Sequence, residues 1–170
     1  MDKSKTKLTE NQIKFFDSIT IAIDKPVYFY GSINRPDYIM GKSDIDVDIF
    51  TDNENSTIHA LSNFLDMHKH EFKKTIMNIN SELIYGHKVQ YEDIDKGINV
   101  EMSIFNDTNK QTVLTDHNKN QKLPFYITIA LMIVKYMFYN LDMITKKQYK
   151  RCKQFLMNAG DEMKFIELIE

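Results

Sequence analysis

Acidic residues alternate with apolar residues in one short stretch of the chain, Asp44-Ile45-Asp46-Val47-Asp48. Residues two apart in a strand point to the same face, so the carboxylates of Asp44 and Asp46 are expected side by side. Aspartate is unfavourable in strands and like charges on one face repel, so a compensating partner is expected. A hard divalent cation, which prefers oxygen ligands, is the simplest such partner. The stretch therefore predicts a site for Mg²⁺ or Mn²⁺, and the competing interpretation is a solvated acidic edge strand.

A third carboxylate follows later in the chain, in Val100-Glu101-Met102. If the two strands are neighbours, Glu101 completes a three-carboxylate cluster. Metal ions held in this way can orient a triphosphate and help to ionise an attacking hydroxyl. Asp93 and Asp95 are rival third acids, although they lie in a turn sequence. The alternative for Glu101 is a lone charged residue on a strand face, which is common.

A Gly31-Ser32 pair directly follows a short apolar stretch that ends at Tyr30. A glycine at a strand end lets the backbone approach a ligand, and the hydroxyl of Ser32 with nearby amides can bind phosphate oxygens. Two cations, Arg35 and Lys42, lie in the following loop, where they could neutralise phosphate charge. The alternative is an ordinary turn followed by a solvated loop.

Taken together, Gly31-Ser32, eleven further residues and Asp44-Ile45-Asp46-Val47 resemble the signature of the DNA polymerase beta-like nucleotidyltransferase superfamily. The arginine at position 35 makes the stretch most similar to the minimal and the antibiotic nucleotidyltransferases. The resemblance covers about residues 10–105. The departures are Pro36, where minimal members usually have glycine, a glutamate as the third acid, and the additional Asp48.

The resemblance implies a role for each matching residue. Asp44 and Asp46 would bind Mg²⁺, Glu101 would be the third metal-binding acid and help to activate the acceptor hydroxyl, and Gly31-Ser32 would contact the nucleotide phosphates. Larger relatives hold the triphosphate with a helical lysine after the catalytic core, and Lys135 is its candidate equivalent here. The alternative for Lys135 is a lysine that extends from a core helix to solvent.

The implied activity is metal-dependent transfer of a nucleoside monophosphate from an NTP to a hydroxyl, with release of pyrophosphate. The acceptor stays open between a protein, an RNA or DNA 3′ end and a small molecule. The alternatives are a non-catalytic nucleotide- or partner-binding module and an antitoxin-like subunit of a two-component system. A basic cluster could contact RNA, DNA or the acidic surface of a partner, although the solvent-exposed face of an amphipathic helix is the favoured explanation: Lys146, Lys147, Lys150, Arg151 and Lys153.

The helices and strands that must position these residues are predicted from the period of the apolar residues and from the glycines and prolines that interrupt them. They predict an α+β (mixed α/β) fold, a small mixed sheet with helices on one side. A nucleotidyltransferase-like core, 1–122, would precede a helical segment, 123–170. The predicted strands are 27–30, 44–50, 82–91 and 98–105, and residues 106–122 are expected to be a polar loop or weak structure. The predicted helices begin at the Thr9 capping box, at Ser56 (to about 70), at Pro124 (to about 140) and at 145, with a short helix after Gly160.

Composition bounds the class of protein. The 170 residues are 42% hydrophobic and 27% charged, which excludes a disordered chain and fits a globular protein. The net charge of −2 excludes nucleic-acid binding through a protein surface that is basic throughout. The one cysteine, Cys152, excludes an internal disulfide and is expected in the core. The longest apolar run, 125–134, is too short to cross a membrane, and no secretory signal is visible, so a cytoplasmic location is expected.

Overall fold

The computed structural model describes residues 5–120 and 123–160. These residues divide into two compact units, 5–35 with 39–120 and 36–38 with 123–160. The short helix predicted after Gly160 lies outside the described residues.

The first unit contains both helices and strands, and the described elements of the second unit are helical. The strands are β1 (Val27–Tyr30), β2 (Ile45–Thr51), β3 (Lys73–Ile79), β4 (Glu82–Asp93) and β5 (Ile98–Asn106). The α-helices of the described residues are α1 (Glu10–Ile23), α2 (Glu54–Leu65), α3 (Lys110–Asn120), α4 (Phe125–Tyr139) and α5 (Lys146–Gly160).

The five strands form one mixed sheet in the order β1-β2-β5-β4-β3. The central pair, β2 and β5, is parallel, and the other three pairs are antiparallel. Parallel neighbours need a crossover connection, and here α2 and the β3–β4 hairpin lie between β2 and β5 in the chain. The predicted mixed α/β fold class is confirmed.

One face of the sheet is apolar and carries α1 and α2. On β2, Ile45, Val47 and Ile49 are fully buried, as the alternation predicts. The rings of Phe16 on α1 and Phe29 on β1 meet edge to face, with centroids 4.9 Å apart. α1 begins at the predicted capping box, in which Thr9 and Gln12 satisfy each other's backbone amides. Because α1 and α2 cover the apolar face, the alternate side chains of β2 and β5, which include Asp46 and Glu101, lie on the opposite face.

The opposite face is partly covered by α3. Val113 of this helix packs with Phe50 and Phe105 in a buried cluster that includes Ile79 and Ile84. The prediction of a polar loop or weak structure over 106–122 is therefore wrong for 110–120, which form α3. The sequence of α3 is strongly polar, and its helix is stabilised by the few contacts that it makes with the sheet.

Two further differences concern the segment after β2. The helix predicted from Ser56 to about residue 70 begins after Asn53, whose side chain accepts a hydrogen bond from the Ser56 amide at 3.0 Å. It ends at Asp66, which adopts the left-handed conformation (φ 52°). The second difference is β3, a strand that the alternation pattern did not predict; it begins at Lys73, beyond the end of the predicted helix.

The second unit pairs α4 with α5. Phe138 of α4 stacks on Tyr149 of α5, with ring centroids 4.6 Å apart. The expectation that Cys152 is a core residue is wrong, because its thiol is exposed. Cys152 borders an open groove that Ala130 and Phe155 also line, whereas the packed seam lies at Tyr149. No helix of the described residues is long and apolar enough to cross a membrane.

Candidate functional site

A row of polar side chains crosses the sheet at the level of Asp46. In the register of the strands, Asp46 lies opposite Tyr30 of β1 on one side and opposite Glu101 of β5 on the other. Register partners point to the same face, so the carboxylates of Asp46 and Glu101 are neighbours on the face away from α1 and α2. Both residues are half-buried. The structure thus brings together two of the three predicted acids.

Gly31 ends β1 and turns the chain over Asp46. It adopts a left-handed conformation (φ 70°) at the start of a 3₁₀ turn, Gly31–Asn34. A Cβ at this position would overlap Oδ2 of Asp46 and would lie 3.1 Å from its Cγ. Only glycine leaves that space open, so the predicted phosphate-binding turn and the predicted metal ligand are in direct contact.

Substituting Gly31 with alanine is expected to damage both the turn and the site. An L-residue in the left-handed region costs about 1–2 kcal/mol, before the overlap with Asp46 is relieved. We expect a loss of about that size in the free energy of unfolding, measured by urea denaturation. We also expect weaker nucleotide binding, measured by calorimetry. Gly97→Ala is the matched control, because Gly97 has φ 64° but open space around it; equal effects on nucleotide binding would contradict the prediction.

Ser32 is buried beside this turn, with 2% of its surface exposed. Within the described part of the chain, its hydroxyl has no hydrogen-bond partner. Buried polar groups are nearly always hydrogen-bonded, and an exception calls for an explanation. A phosphate oxygen of a ligand would provide the missing acceptor, which is the role predicted for Ser32.

Asp44 lies immediately before β2, after a tight turn over residues 39–43. The Ser43 amide donates to the Ile39 carbonyl at 2.9 Å, and the Ser43 hydroxyl accepts from the Ile39 amide at 3.1 Å. Of the two loop cations, Arg35 is buried and Lys42 is exposed. Their predicted phosphate contacts stay predictions.

Glu101 has a cationic partner that the sequence analysis did not identify. Nζ of Lys88, on β4, donates to Oε1 of Glu101 at 2.8 Å. No three His, Cys, Asp or Glu side chains within residues 5–120 and 123–160 are gathered closely enough to hold one metal ion. The expected three-carboxylate cluster is therefore not assembled. Its oxygen donors suit a hard cation chemically, and Lys88 would compete with such a cation for Glu101.

Asp48, which had no assigned role, is fully buried against α3. Its Oδ2 lies 2.7 Å from Nε2 of His117, a hydrogen-bonded pair with little solvent access. Burial raises the pKa of the Asp48 carboxyl, and the hydrogen bond and charge of His117 oppose that shift. The His117 ring also stacks on Tyr30, with centroids 3.9 Å apart. Burial likewise raises the pKa of the Tyr30 phenol. His117 of α3 thus contacts both Asp48 of β2 and Tyr30 of β1, next to Asp46.

Two other predicted groups are engaged elsewhere. Nζ of Lys135 is fully buried in the second unit, 3.0 Å from Oδ2 of Asp37 and 2.9 Å from the Asp37 carbonyl oxygen. This environment favours a structural role over the predicted phosphate contact. Among the rival third acids, Asp93 pairs with Lys96 at 2.9 Å in the β4–β5 turn, and Asp95 is exposed there. Neither shares the Asp46 row.

Sequence reasoning missed Lys88 and His117. His117 lies four residues after Val113, a spacing that places both on one helix face, but the polar composition around them concealed the helix. Lys88 lies two residues before Gln90, the register partner of Glu101, and so shares the face of Glu101. That relationship depends on the strand register, which the sequence did not specify.

No protein-family model matches the sequence, and no curated protein matches it. Solved structures similar to it include a cytoplasmic RNA terminal U-transferase, with 11% identity over 77% of this chain and 42% of that chain (TM-score 0.39). A chain of the GLD-2/RNP-8 complex is 11% identical over 89% of this chain and 55% of its own (TM-score 0.42). Terminal uridylyl transferase 4 from Trypanosoma brucei with bound UPU is 8% identical over 96% of this chain and 57% of its own (TM-score 0.36). The chain thus spans about half the length of these structures.

Proposed function

We propose that this protein is a nucleotidyltransferase that moves a nucleoside monophosphate from an NTP to an acceptor hydroxyl and releases pyrophosphate. The observation that carries the proposal is the contact between Gly31 and Asp46, in the same row as Glu101. It joins a turn suited to phosphate with two adjacent carboxylates. The unpaired hydroxyl of Ser32, as far as the described residues show, supports the same assignment.

The residues have separate tasks in this reaction. The Gly31-Ser32 turn would bind the phosphate oxygens of the NTP and hold its α-phosphorus over the carboxylate row. The acceptor oxygen would form a bond to that phosphorus while the bond to the bridging oxygen of the pyrophosphate breaks. Glu101 would accept the proton of the acceptor hydroxyl, and the pyrophosphate would carry away the electron pair of the broken bond.

Asp44, Asp46 and Glu101 are the residues that would hold Mg²⁺ or Mn²⁺. When bound, such a cation neutralises phosphate charge and lowers the pKa of a coordinated hydroxyl. Asp46 would keep its oxygens directed to that site because the β2 backbone on both sides of it is paired. The acceptor, whether protein, nucleic acid or small molecule, and an intracellular location are further parts of the proposal.

The direct test is incubation with each of four α-labelled NTPs and Mg²⁺, in the presence of protein, RNA, DNA and small-molecule acceptors. We expect label transfer to one acceptor class with stoichiometric pyrophosphate. Chelation of the divalent cation should stop both. Pyrophosphate without labelled acceptor would indicate NTP hydrolysis and would contradict the transfer reaction.

A second candidate function is a nucleotide-binding module without turnover. The ion pair between Lys88 and Glu101 favours it, because it occupies the carboxylate that the reaction needs as third acid. Calorimetry with each NTP and Mg²⁺, followed by an assay for pyrophosphate, separates the two functions. Tight binding with no product from any acceptor would support the module.

A further inference from the structure

A cavity of about 480 Å³ opens on the side of Glu101 that faces away from Asp46. Its walls come from β3, β4 and the turn before β3, and Glu101 and Lys88 both line it. Lys88 lies two residues before Gln90 on β4, and Gln90 is the register partner of Glu101. The cavity and the candidate site therefore share one face of the sheet and have Glu101 in common.

The cavity wall contains lysines in an arrangement that is unfavourable by itself. Lys73 of β3 lies directly opposite Lys88 of β4, and like charges at paired positions destabilise a sheet. Glu101 neutralises Lys88, but within the described residues neither Lys73 nor its neighbour Lys74 has a carboxylate within 4 Å. One acid, Glu71, also lines the cavity. The cavity therefore has an excess of positive charge at its β3 wall.

We propose that this cavity binds a phosphate group of the acceptor, so that its hydroxyl is presented to Glu101. The inference rests on the proposed function and names the substrate class for the acceptor side of that site. Lysine ammonium groups bind phosphate as point charges, and Thr75 and Gln90 add polar groups to the wall. The volume is in the range of pockets that hold a nucleotide-sized group.

The order of the strands separates this cavity from the proposed NTP site. Gly31 and Ser32 follow β1, whereas Lys73 lies on β3, at the far edge of the sheet. With strands about 4.8 Å apart, β1 and β4 are separated by three spacings, or about 14 Å. Glu101 lies between the two sides. A donor bound at the β1 edge and an acceptor bound over β3 and β4 would thus meet at Glu101, which is where the proton must be removed.

The phosphate group that binds in the cavity could belong to the phosphodiester backbone of an oligonucleotide or to a small phosphorylated metabolite. Binding to a single-stranded octanucleotide, a methylphosphonate octanucleotide without charge, and ribose 5-phosphate would distinguish them. The test variant is Lys73→Gln/Lys74→Gln. The control is Lys14→Gln/Lys119→Gln, which removes the same charge from exposed positions on α1 and α3.

We expect the octanucleotide Kd to rise about tenfold in the test variant and to stay near the parent value in the control. The slope of log K against log salt should become less steep by about 1.4, since each lysine that contacts a single strand contributes about 0.7. Binding of ribose 5-phosphate with the same lysine dependence, and none of the octanucleotide, would support the phosphate site and assign it to a small acceptor.

Three results would overturn the inference. The two double variants could lose octanucleotide binding equally, or the uncharged methylphosphonate octanucleotide could bind as tightly as the charged one. The third is an acidic peptide that competes for the cavity as well as the phosphate probes do. Pyrophosphate release separates this failure from failure of the proposed function. If pyrophosphate is still released and the Lys73→Gln/Lys74→Gln variant binds all phosphate probes normally, the phosphate site in the cavity is rejected and the proposed function is retained. If phosphate binding depends on the two lysines but no NTP yields pyrophosphate, the proposed function is rejected and the phosphate site in the cavity is retained.

Discussion

Asp46→Asn is expected to abolish nucleotidyl transfer and to leave the protein folded. Asp46 contacts the Gly31 turn and lies opposite Glu101 in the strand register. The amide cannot supply the negative charge that a divalent cation requires. Loss of partners that only orient metal ligands costs about 10–100-fold, so removal of a ligand charge should reduce kcat by more than about 100-fold.

The stability of the same variant provides a second measurement. Asp46 and Glu101 are like charges at paired positions, so neutralising one of them removes a repulsion of about 0.2–1 kcal/mol. We therefore expect the free energy of unfolding, from urea denaturation followed by circular dichroism, to stay within about 1 kcal/mol of the parent value. Asp95→Asn is the matched control, because Asp95 is exposed in the β4–β5 turn. Full activity in Asp46→Asn, or equal loss in both variants, would reject the site assignment.

Lys135→Ala is expected to have the largest effect on stability. The ammonium group of Lys135 and the carboxylate of Asp37 are both fully buried and 3.0 Å apart. Removing one member of a buried ion pair leaves the other charge in a low-dielectric environment, at a cost of about 3–5 kcal/mol. We expect a loss of that size in the free energy of unfolding of the second unit, measured by urea denaturation.

A double variant keeps this prediction testable if Lys135→Ala does not fold. In Asp37→Leu/Lys135→Met both charges are replaced by apolar groups, and such replacements are often neutral or stabilising. Most of the lost stability should return. The opposite result would be unchanged unfolding of Lys135→Ala together with a raised KM for NTP. That outcome would favour the phosphate contact implied by the family resemblance.

Local patterns predicted the elements in which the pattern and the tertiary environment agree. The alternation around Ile45, Val47 and Ile49 predicted β2, because a strand with one buried face must alternate. The capping box at Thr9 predicted the start of α1, because its hydrogen bonds lie within four residues of the chain. In both cases the decisive interactions are local or repeat along one element.

The elements that were missed depend on contacts distant in sequence. α3 is a polar helix that is held to the sheet by Val113 and His117. β3 begins with two lysines and forms because the long strand β4 pairs with it over seven residues, from Lys73 to Ile79. Neither segment has an apolar period of its own, so no local pattern could predict it.

The same distinction divides the candidate site. The sequence by itself determined the chemistry that neighbouring residues provide: a glycine and serine at a strand end, and aspartates at alternate positions of the next strand. Only the tertiary structure decided which distant groups join them. Parallel pairing of β2 with β5 brought Glu101, and not Asp93 or Asp95, beside Asp46. Antiparallel pairing of β4 with β5 placed the Lys88 ammonium on Glu101. These choices depend on strand order and register, which are set by the packing of the whole sheet and are not encoded in the spacing of any one motif.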